Sequence, residues 1–330
     1  MKRALRAALL TRAGLSVPRF LVRDTVTILM LHRFAERDLG NGAHTSLDLR
    51  RLLETVRANR IPVVSLGDLP HRSPAAGAVA FTIDDGYADF ASVGWPLFRA
   101  YDCPVTVFLA TGFLDGRMWM WWDRVEWAIE QSSVRDARVS VGGKRIDGTI
   151  VDGAGRRRFA TTVIENLKRV PDADREFSLA SLQDDLGVAI PTACPEQYRP
   201  MRWDDVRTAA REGATFGPHT VTHPILSRVD DQRAESEILE SWQRLRSETD
   251  AAIPVFCYPN GDESSFGARE EHMLERHRFA FAVTAIAGHA SRASLTSASR
   301  YRIPRHACPR DPQRLRWLAS GWPALPGLIR

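Results

Sequence analysis

Short segments that are apolar throughout alternate with helical patterns along this 330-residue chain, and this alternation limits the folds that it can adopt. A strand without a polar face must be covered on both sides, which is typical of parallel sheets with helices on each face. We therefore expect an α/β fold, a distorted (β/α) barrel of about seven parallel strands with its site at their carboxyl ends. The strand candidates are 26–31, 61–64, 78–83, 104–109, 214–216, 255–258, 279–283 and 301–303.

The alternation stops between residues 117 and 200. This part holds a tryptophan-rich helix, a predicted hairpin around Gly142-Gly143 and two charged helices. Because the strand pattern resumes after it, we expect a helical insertion on one βα loop and not a separate domain. The catalytic domain would span 25–310, and a C-terminal tail, 311–330, would follow.

Residues 1–24 form an N-terminal extension that could be a short basic amphipathic helix. Such a helix could dock on an anionic membrane, although a frayed or packed terminal helix is the commoner outcome. Its apolar run is too short for a signal peptide, and no stretch approaches the roughly 20 apolar residues of a spanning helix. These features predict a cytoplasmic protein, or one that is peripheral at the cytoplasmic membrane surface.

Composition argues against other classes of function. The formal net charge is +5, from 45 basic and 40 acidic residues, and many arginines stand beside acids in helical stretches. The sequence has no basic block with interleaved aromatic residues, so we expect no nucleic-acid partner. The four cysteines are widely spaced and form no CxxC motif, which excludes a zinc ribbon and fits reduced thiols.

Polar side chains that can carry out chemistry stand where predicted strands end: His32, Asp84, Asp85, His219 and Asn260. Within a strand, neighbouring carboxylates would face opposite sides of the sheet. At a strand end, where the chain turns at Gly86, both can reach one cavity. One could then hold a divalent ion while the other accepts a proton.

His219 and His223 are four residues apart, so on a helical turn their imidazoles would share a face and could bind one ion. Surface or capping histidines are the ordinary interpretation of such a pair. Asp85 can supply a carboxylate, however, and two imidazoles with one carboxylate leave a coordination position open, as in catalytic sites. The sequence predicts one divalent metal ion. Zinc is the first choice, and cobalt, manganese, nickel or iron also suit these ligands.

Three motifs resemble those of the polysaccharide deacetylases, the family 4 carbohydrate esterases with the NodB (chitooligosaccharide deacetylase) homology domain. Residues 81–86, Phe-Thr-Ile-Asp-Asp-Gly, are similar to the family's TFDDG motif. Residues 219–223 match its H-(S/T)-x-x-H motif, and 256–261 resemble its third motif, around a Pro-x-Gly turn. The resemblance implies a metal-dependent hydrolase of amide bonds that N-deacetylates a sugar in a polysaccharide, oligosaccharide or lipid-linked glycan.

The same resemblance implies the roles of five residues. Asp85, His219 and His223 would bind the metal ion. Asp84 would be the general base that takes a proton from the attacking water, and the backbone N–H of Asn260 would donate to the oxyanion.

Two features depart from the family's pattern. Cys257 stands where much of the family has an arginine that orients the base, and a thiol cannot make a bidentate contact to a carboxylate. Arg302 or Arg305 could replace that arginine. The family's general-acid histidine has no clear counterpart. His32 is the stronger candidate, because its strand resembles the first strand of the branch that acts on poly-N-acetylglucosamine, and His306 is the weaker one.

Two aromatic side chains near the motifs, Tyr258 and Trp203, could stack on a sugar. We expect an N-acetylated glycan or glycolipid as the partner, and the oligomeric state stays open.

Two other functions remain. One is hydrolysis of a different amide, such as a formamide or a cyclic ureide, on the same scaffold. The other is carbohydrate binding without catalysis, which the missing arginine would favour.

Overall fold

The computed structural model describes residues 24–324, apart from 39, 41, 73 and 74. The predicted N-terminal extension therefore lies outside the described residues, except for its last residue.

Four parallel strands form the middle of the fold. Every residue of the second and third of them is buried. Since they are rich in apolar β-branched residues and covered on both faces, they match the parallel arrangement that the sequence predicted. In order across the sheet, the strands are β1 (Thr25–Leu31), β4 (Ala78–Ile83), β5 (Val105–Leu109) and β8 (Thr215–Pro218).

Two more parallel strands, β9 (Val255–Cys257) and β10 (Phe281–Val283), continue the sheet. One residue pair, Phe216–Ala252, links β8 to the residues before β9, and one, Val283–Ile303, links β10 to the segment 303–307. Two pairs, Leu29–His306 and Met30–Ala307, link that segment to β1. The segment 303–307, which includes β12 (His306–Ala307), thus connects the last strand with the first, as a distorted barrel requires.

The insertion packs around a hydrophobic cluster of its own. Its hairpin turns at Gly142-Gly143, as predicted, where both glycines have positive φ. Strand β6 alternates buried and exposed residues, so one face of the hairpin covers the helices and the other faces solvent. The elements are α4 (Trp121–Gln131), β6 (Asp136–Val141), β7 (Lys144–Thr149), α5 (Gly153–Leu167) and α6 (Asp172–Leu186).

The remaining helices are α1 (Ser46–Ala58), α2 (Trp95–Ala100), α3 (Thr111–Leu114), α7 (Trp203–Arg211), α8 (Asp231–Glu248), α9 (Ala268–Arg276), α10 (Arg292–Thr296) and α11 (Pro312–Ala319). The remaining strands are β2 (Phe34–Ala35), β3 (His44–Thr45) and β11 (Ala290–Ser291). No helix in the described part of the chain is long and apolar enough to cross a bilayer.

Three predicted segments differ from the structure. The strand expected at 61–64 is reduced to one bridge at Val63. The strand expected at 301–303 begins within a 3-10 turn, and only Ile303 pairs with the barrel. The predicted C-terminal tail contains α11, whose Leu315 is buried in the core. Short segments like these carry too few residues for a pattern to define their ends.

Candidate active site

A cavity of about 680 Å³ opens at the carboxyl ends of the strands. Trp203 and His306, both predicted for the site, are not among its lining residues. The other predicted residues do line it, and they come from distant parts of the chain: His32, Asp84, Asp85, His219, His223, Tyr258 and Asn260.

A sharp turn presents the two neighbouring aspartates to this cavity. The Asp84 N–H donates to Leu31 O at 2.9 Å, so Asp84 still belongs to the strand ladder. Asp85 then adopts a left-handed backbone, with φ of 76°, and Gly86 follows at 93°. Because the chain reverses here, both carboxylates reach the cavity, whereas a continued strand would place them on opposite faces.

Ligand atoms of Asp85, His219 and His223 converge on one point. Asp85 Oδ1 lies 3.5 Å from His219 Nε2 and 3.4 Å from His223 Nε2, and the two Nε2 atoms are 3.1 Å apart. Ligands that are about 2.0–2.2 Å from a tetrahedral zinc ion lie about 3.3–3.6 Å from one another. The two separations from Asp85 fall in this range and the separation between the two Nε2 atoms is slightly shorter, so the three atoms can hold one divalent ion after a small shift of the imidazoles and leave a coordination position open.

The two histidines do not lie on a helical turn, contrary to the prediction. They follow β8 in a loop in which Thr220, with φ of 67°, and His223, with φ of 56°, are left-handed. This bend brings the two imidazole centroids to 4.7 Å. A spacing of four residues is thus produced here by a loop and not by a helix.

Hydrogen bonding and burial prepare both imidazoles for metal binding. His219 Nδ1 lies 2.7 Å from Cys257 O. Because a carbonyl oxygen can only accept, Nδ1 carries a proton and Nε2 is the nitrogen that faces Asp85. Burial would lower the pKa of His219, but Cys257 and Asp85 beside it raise that pKa well above its usual value, so a metal ion would bind at Nε2 in exchange for a proton. Burial, together with the neighbouring His219, lowers the pKa of His223 to about 3, so its imidazole is neutral, as a metal ligand must be.

Arg305 makes the contact that Cys257 cannot make. Its Nη1 and Nη2 donate to the two carboxylate oxygens of Asp84 at 2.8 Å each, and Nη2 lies 3.2 Å from Cys257 Sγ. Burial alone would raise the pKa of Asp84, but the paired guanidinium outweighs it and holds that pKa well below its usual range. Arg302, the other predicted replacement, pairs instead with Glu271 at 2.5 Å.

The barrel-closing segment explains why Arg305 faces the site and His306 does not. Successive side chains of an extended segment point to opposite sides. Arg305 points inward to Asp84, so the next residue points away, and His306 Nε2 lies 3.4 Å from Nδ1 of His289. Burial, with His289 beside it, lowers the pKa of His306 to about 4. His306 therefore lies away from the reacting groups.

His32 is the predicted acid candidate that faces the cavity. Its Nε2 lies 3.8 Å from Asp84 Oδ2, and its side chain is 44% exposed. It is therefore close to the predicted base and open to a ligand at the same time.

The turn after β9 leaves a backbone donor free. Asn260 adopts a left-handed conformation, with φ of 59°, which asparagine tolerates better than most residues. Its N–H has no acceptor among the residues that the structure describes. Asn260 lines the same cavity as the aspartates.

Neither predicted sugar-stacking ring offers an open face. Tyr258 is buried and its ring stacks on that of Phe266, with centroids 4.0 Å apart. Trp203 lies outside the cavity, where its Nε1 donates to Asp115 at 2.8 Å and its ring lies under Arg244. Both side chains are used in packing, which their position near a motif could not reveal.

The insertion forms one wall of the cavity, which the sequence did not predict. The ring of Trp122 stands edge-on to that of His223, with centroids 4.7 Å apart. Its Nε1 donates to Tyr87 OH at 3.1 Å, and that hydroxyl donates to Asp123 Oδ2 at 2.7 Å. Farther out, Glu126 and Glu130 line the cavity on the same helix. The tryptophan-rich helix was visible in the sequence, but its placement over the site was not.

Comparison with protein families supports the resemblance drawn from the motifs. The model of the polysaccharide deacetylase family matches residues 179–271, which include His219, His223 and Asn260 but not the aspartate pair. A search of curated protein sequences gave no match.

Solved structures share the fold over nearly the whole chain. Streptococcus pyogenes deacetylase PplD, in complex with acetate, is 16% identical, with a TM-score of 0.57, and the match covers 88% of this chain and 96% of that one. IcaB from Ammonifex degensii is 14% identical, with a TM-score of 0.55 and coverage of 90% and 98%. A de-N-acetylase from Aggregatibacter actinomycetemcomitans is 11% identical, with a TM-score of 0.54 and coverage of 87% and 96%. The predicted fold is confirmed.

Proposed function

We propose, starting from the resemblance of this chain to the polysaccharide deacetylases, that it is a metal-dependent hydrolase that removes acetyl groups from an N-acetylated sugar. One observation carries the proposal. An ionised aspartate, fixed by Arg305, stands next in the chain to a triangle of ligand atoms that fits one divalent ion. A base beside such an ion is the arrangement that amide hydrolysis by water requires.

The metal ion would be held by Asp85, His219 and His223. When bound, a divalent ion, with zinc as the first choice, would polarise the acetamide carbonyl and acidify water. The chain's own residues would perform the remaining steps. Burial would raise the pKa of Asp84, but the pairing with Arg305 outweighs it and keeps Asp84 ionised at neutral pH, so its carboxylate could accept a proton from water that the ion has made more acidic. Arg305 also fixes the direction in which that carboxylate points.

Asn260 and His32 would complete the reaction. The free N–H of Asn260 would donate to the oxygen on which charge develops, and one such donor is typically worth about 3 kcal/mol. An amine is a poor leaving group, so it must be protonated as it departs. His32 is close to Asp84 and open to the cavity, and we assign it this proton transfer.

The substrate would be an N-acetylated sugar in a polysaccharide, oligosaccharide or lipid-linked glycan. The cavity is large enough for at least one sugar unit and is lined by carboxylates, tyrosines and two tryptophans, which suit a polar ring.

The test is acetate release from a panel of N-acetylated oligosaccharides and lipid-linked sugars, measured with the apoprotein and after addition of Zn²⁺, Co²⁺ or Mn²⁺. We expect release from at least one substrate only when metal is present. A protein that binds metal and sugar but releases no acetate would be a carbohydrate-binding protein. Release from formamides or cyclic ureides alone would reassign the substrate.

A further inference from the structure

The loop that carries both candidate histidine ligands requires support from outside itself. Two of its residues, Thr220 and His223, are left-handed without being glycine. Such conformations persist where surrounding contacts enforce them. The contacts that fix this loop therefore also fix the position of the two Nε2 atoms.

A buried carboxylate supplies much of this support. Glu237, on α8, accepts hydrogen bonds at Oε2 from the N–H groups of Val221 and Thr222, at 2.8 Å each. Its Oε1 accepts from Thr222 Oγ1 at 2.5 Å. Glu237 is 6% exposed, so three donors between the histidines converge on one anion that is shielded from water.

The opposite side of the loop is held by the first turn of α3. The N–H groups of Thr111 and Gly112 donate to the carbonyl oxygens of Thr220 and Val221, at 3.1 and 2.8 Å. A Cβ at Gly112 would lie 2.7 Å from Val221 O, so only glycine allows this approach. The loop is thus clamped between backbone donors of α3 and the carboxylate of Glu237.

An ionic chain connects Glu237 with the insertion. Arg233, one turn earlier on α8, has its Nε 3.9 Å from Glu237 Oε1 and its Nη1 2.7 Å from Asp172 Oδ2. Asp172 begins α6 of the insertion, is buried, and also pairs with the buried Arg175. The Arg175 guanidinium lies 5.2 Å from the ring centroid of Trp121.

A second contact joins the insertion to the same loop, since Trp122, next to Trp121, stands against the His223 ring. The insertion thus reaches the candidate metal centre twice, through charge at Glu237 and through packing at His223. The contact at Glu237 involves no residue that would bind the ion, whereas the contact of Trp122 is made directly to the predicted ligand His223.

We propose that Glu237 is a positioning residue for the two histidine ligands and that the insertion, acting through Asp172 and Arg233, holds Glu237 in place. The insertion is then part of the metal centre as well as a wall of the cavity. This inference rests on the metal site of the proposed function.

The experiment measures the dissociation constant for Zn²⁺ by competition with a chromophoric chelator, and the melting temperature of each apoprotein by circular dichroism. Glu237→Ala removes both acceptor oxygens and the three hydrogen bonds that they accept, and we expect zinc affinity to fall by about 10–100-fold, as for other groups that orient metal ligands. Glu237→Gln keeps an acceptor without the charge and should recover part of the affinity. The matched control, Glu240→Gln, changes an exposed carboxylate on the same helix and should bind zinc like the wild type.

Asp172→Asn tests the link to the insertion, with Asp174→Asn, exposed on the same helix, as its control. We expect a loss of about two- to thirtyfold in zinc affinity for Asp172→Asn, the usual range for coupling between elements, and none for the control. Should Glu237→Ala fail to fold, Thr222→Val removes one hydroxyl donor with little change in shape and should still weaken binding.

The outcomes separate the two proposals. Wild-type zinc affinity in Glu237→Ala would overturn the role of Glu237. If Glu237→Ala does not fold, wild-type zinc affinity in both single variants, Thr222→Val and Glu237→Gln, would overturn it. Wild-type affinity in Asp172→Asn alone would overturn the role of the insertion. A wild-type protein that binds no divalent ion would overturn the metal centre itself, and the positioning role with it.

Discussion

The candidate site has two halves that are built in different ways. The base half, Asp84 with Arg305, is an ion pair between a strand end and the barrel-closing segment, and its opposite charges are matched within the protein. The metal half, Asp85 with His219 and His223, gathers one carboxylate and two imidazole nitrogens within 3.5 Å of one another. The carboxylate of the base half is paired with an arginine. The three ligand atoms of the metal half converge instead on a point at which a cation could bind.

The backbone shows the same difference. In the metal half, Asp85 and His223 have positive φ, and so does Thr220 between the two histidines, whereas Asp84 and Arg305 of the base half do not. Each such residue costs on the order of 1–2 kcal/mol. The metal half is therefore the strained half, and the contacts of its loop with Glu237 and α3 offset that strain.

Asp84→Asn should have the largest effect, and it should leave the metal half intact. An asparagine cannot accept the proton, so we expect kcat to fall by about 10²–10⁴-fold. Zinc affinity should stay within about twofold of the wild type, since Asp84 is not a predicted ligand. Acetate release and chelator competition measure the two quantities. Asp204→Asn, which alters a surface ion pair with Arg207, is the control. Full activity in Asp84→Asn would remove Asp84 from the base role.

Arg305→Met should destabilise the protein most. Removing one partner of a buried pair leaves an uncompensated charge, which costs about 3–5 kcal/mol of unfolding free energy. Arg302→Met removes a more exposed partner, that of Glu271, and should cost no more than about 1 kcal/mol. Urea denaturation at pH 7 compares them. Equal losses would contradict the assignment of Arg305 to the base half.

The effect of Arg305→Met should also depend on pH. Because Arg305 lowers the pKa of Asp84, the pair stabilises the fold fully above the unfolded carboxyl pKa of about 4 and loses this contribution as the pH falls toward the folded pKa. In the variant, burial without the arginine raises the pKa of Asp84, so the difference in unfolding free energy between wild type and variant should begin to shrink already above about pH 4 and continue to shrink down to pH 3. A difference that is constant from pH 7 to pH 3 would show that the arginine acts by packing.

The two halves also differ in how far the sequence predicts them. The aspartate pair was placed correctly in the cavity because a long apolar strand and a following glycine define where the chain turns. The choice between Arg302 and Arg305 could not be made, because Arg302 ends a 3-10 turn and Arg305 lies in a short irregular stretch before β12, where no pattern tells inward from outward positions. The spacing of the two histidines predicted a helical turn, but the structure has a loop. The left-handed residues that shape this loop, Thr220 and His223, are not glycines, so nothing in the sequence indicated them. Contacts of the insertion with the site join segments about 100 residues apart, which periodicity cannot detect.

Zinc should stabilise the protein through the metal half. At a free zinc concentration 100 times the dissociation constant, binding adds about 2.7 kcal/mol to the unfolding free energy. Thermal unfolding with and without zinc would show this as a rise in melting temperature. His223→Ala should abolish the rise, whereas His306→Ala, on a side chain that points away from the cavity, should retain it. An equal rise in both variants would place the ion elsewhere.

His32→Gln should reduce turnover without weakening metal binding. Its side chain is 44% exposed, so water can replace part of its proton transfer, and we expect a loss at the lower end of the usual range, about 10²-fold in kcat. His306→Gln should stay close to the wild type. The reverse ranking of the two variants would assign the acid to His306 and require the barrel-closing segment to rearrange.

Cys257→Ala should have the smallest effect, although Cys257 stands beside both halves. Its Sγ is 3.6 Å from Asp84 Oδ2, and its carbonyl accepts from His219. The carbonyl survives substitution, and Arg305 already fills both oxygens of the base, so the side chain contributes mainly packing. We expect a loss of about 1 kcal/mol in unfolding free energy, similar to that of Cys103→Ala in the core, and a kcat within a few-fold of the wild type. A selective loss of kcat would mean that the thiol itself orients the carboxylate of Asp84. Cys257 would then connect the two halves, because its side chain contacts Asp84 and its carbonyl contacts His219.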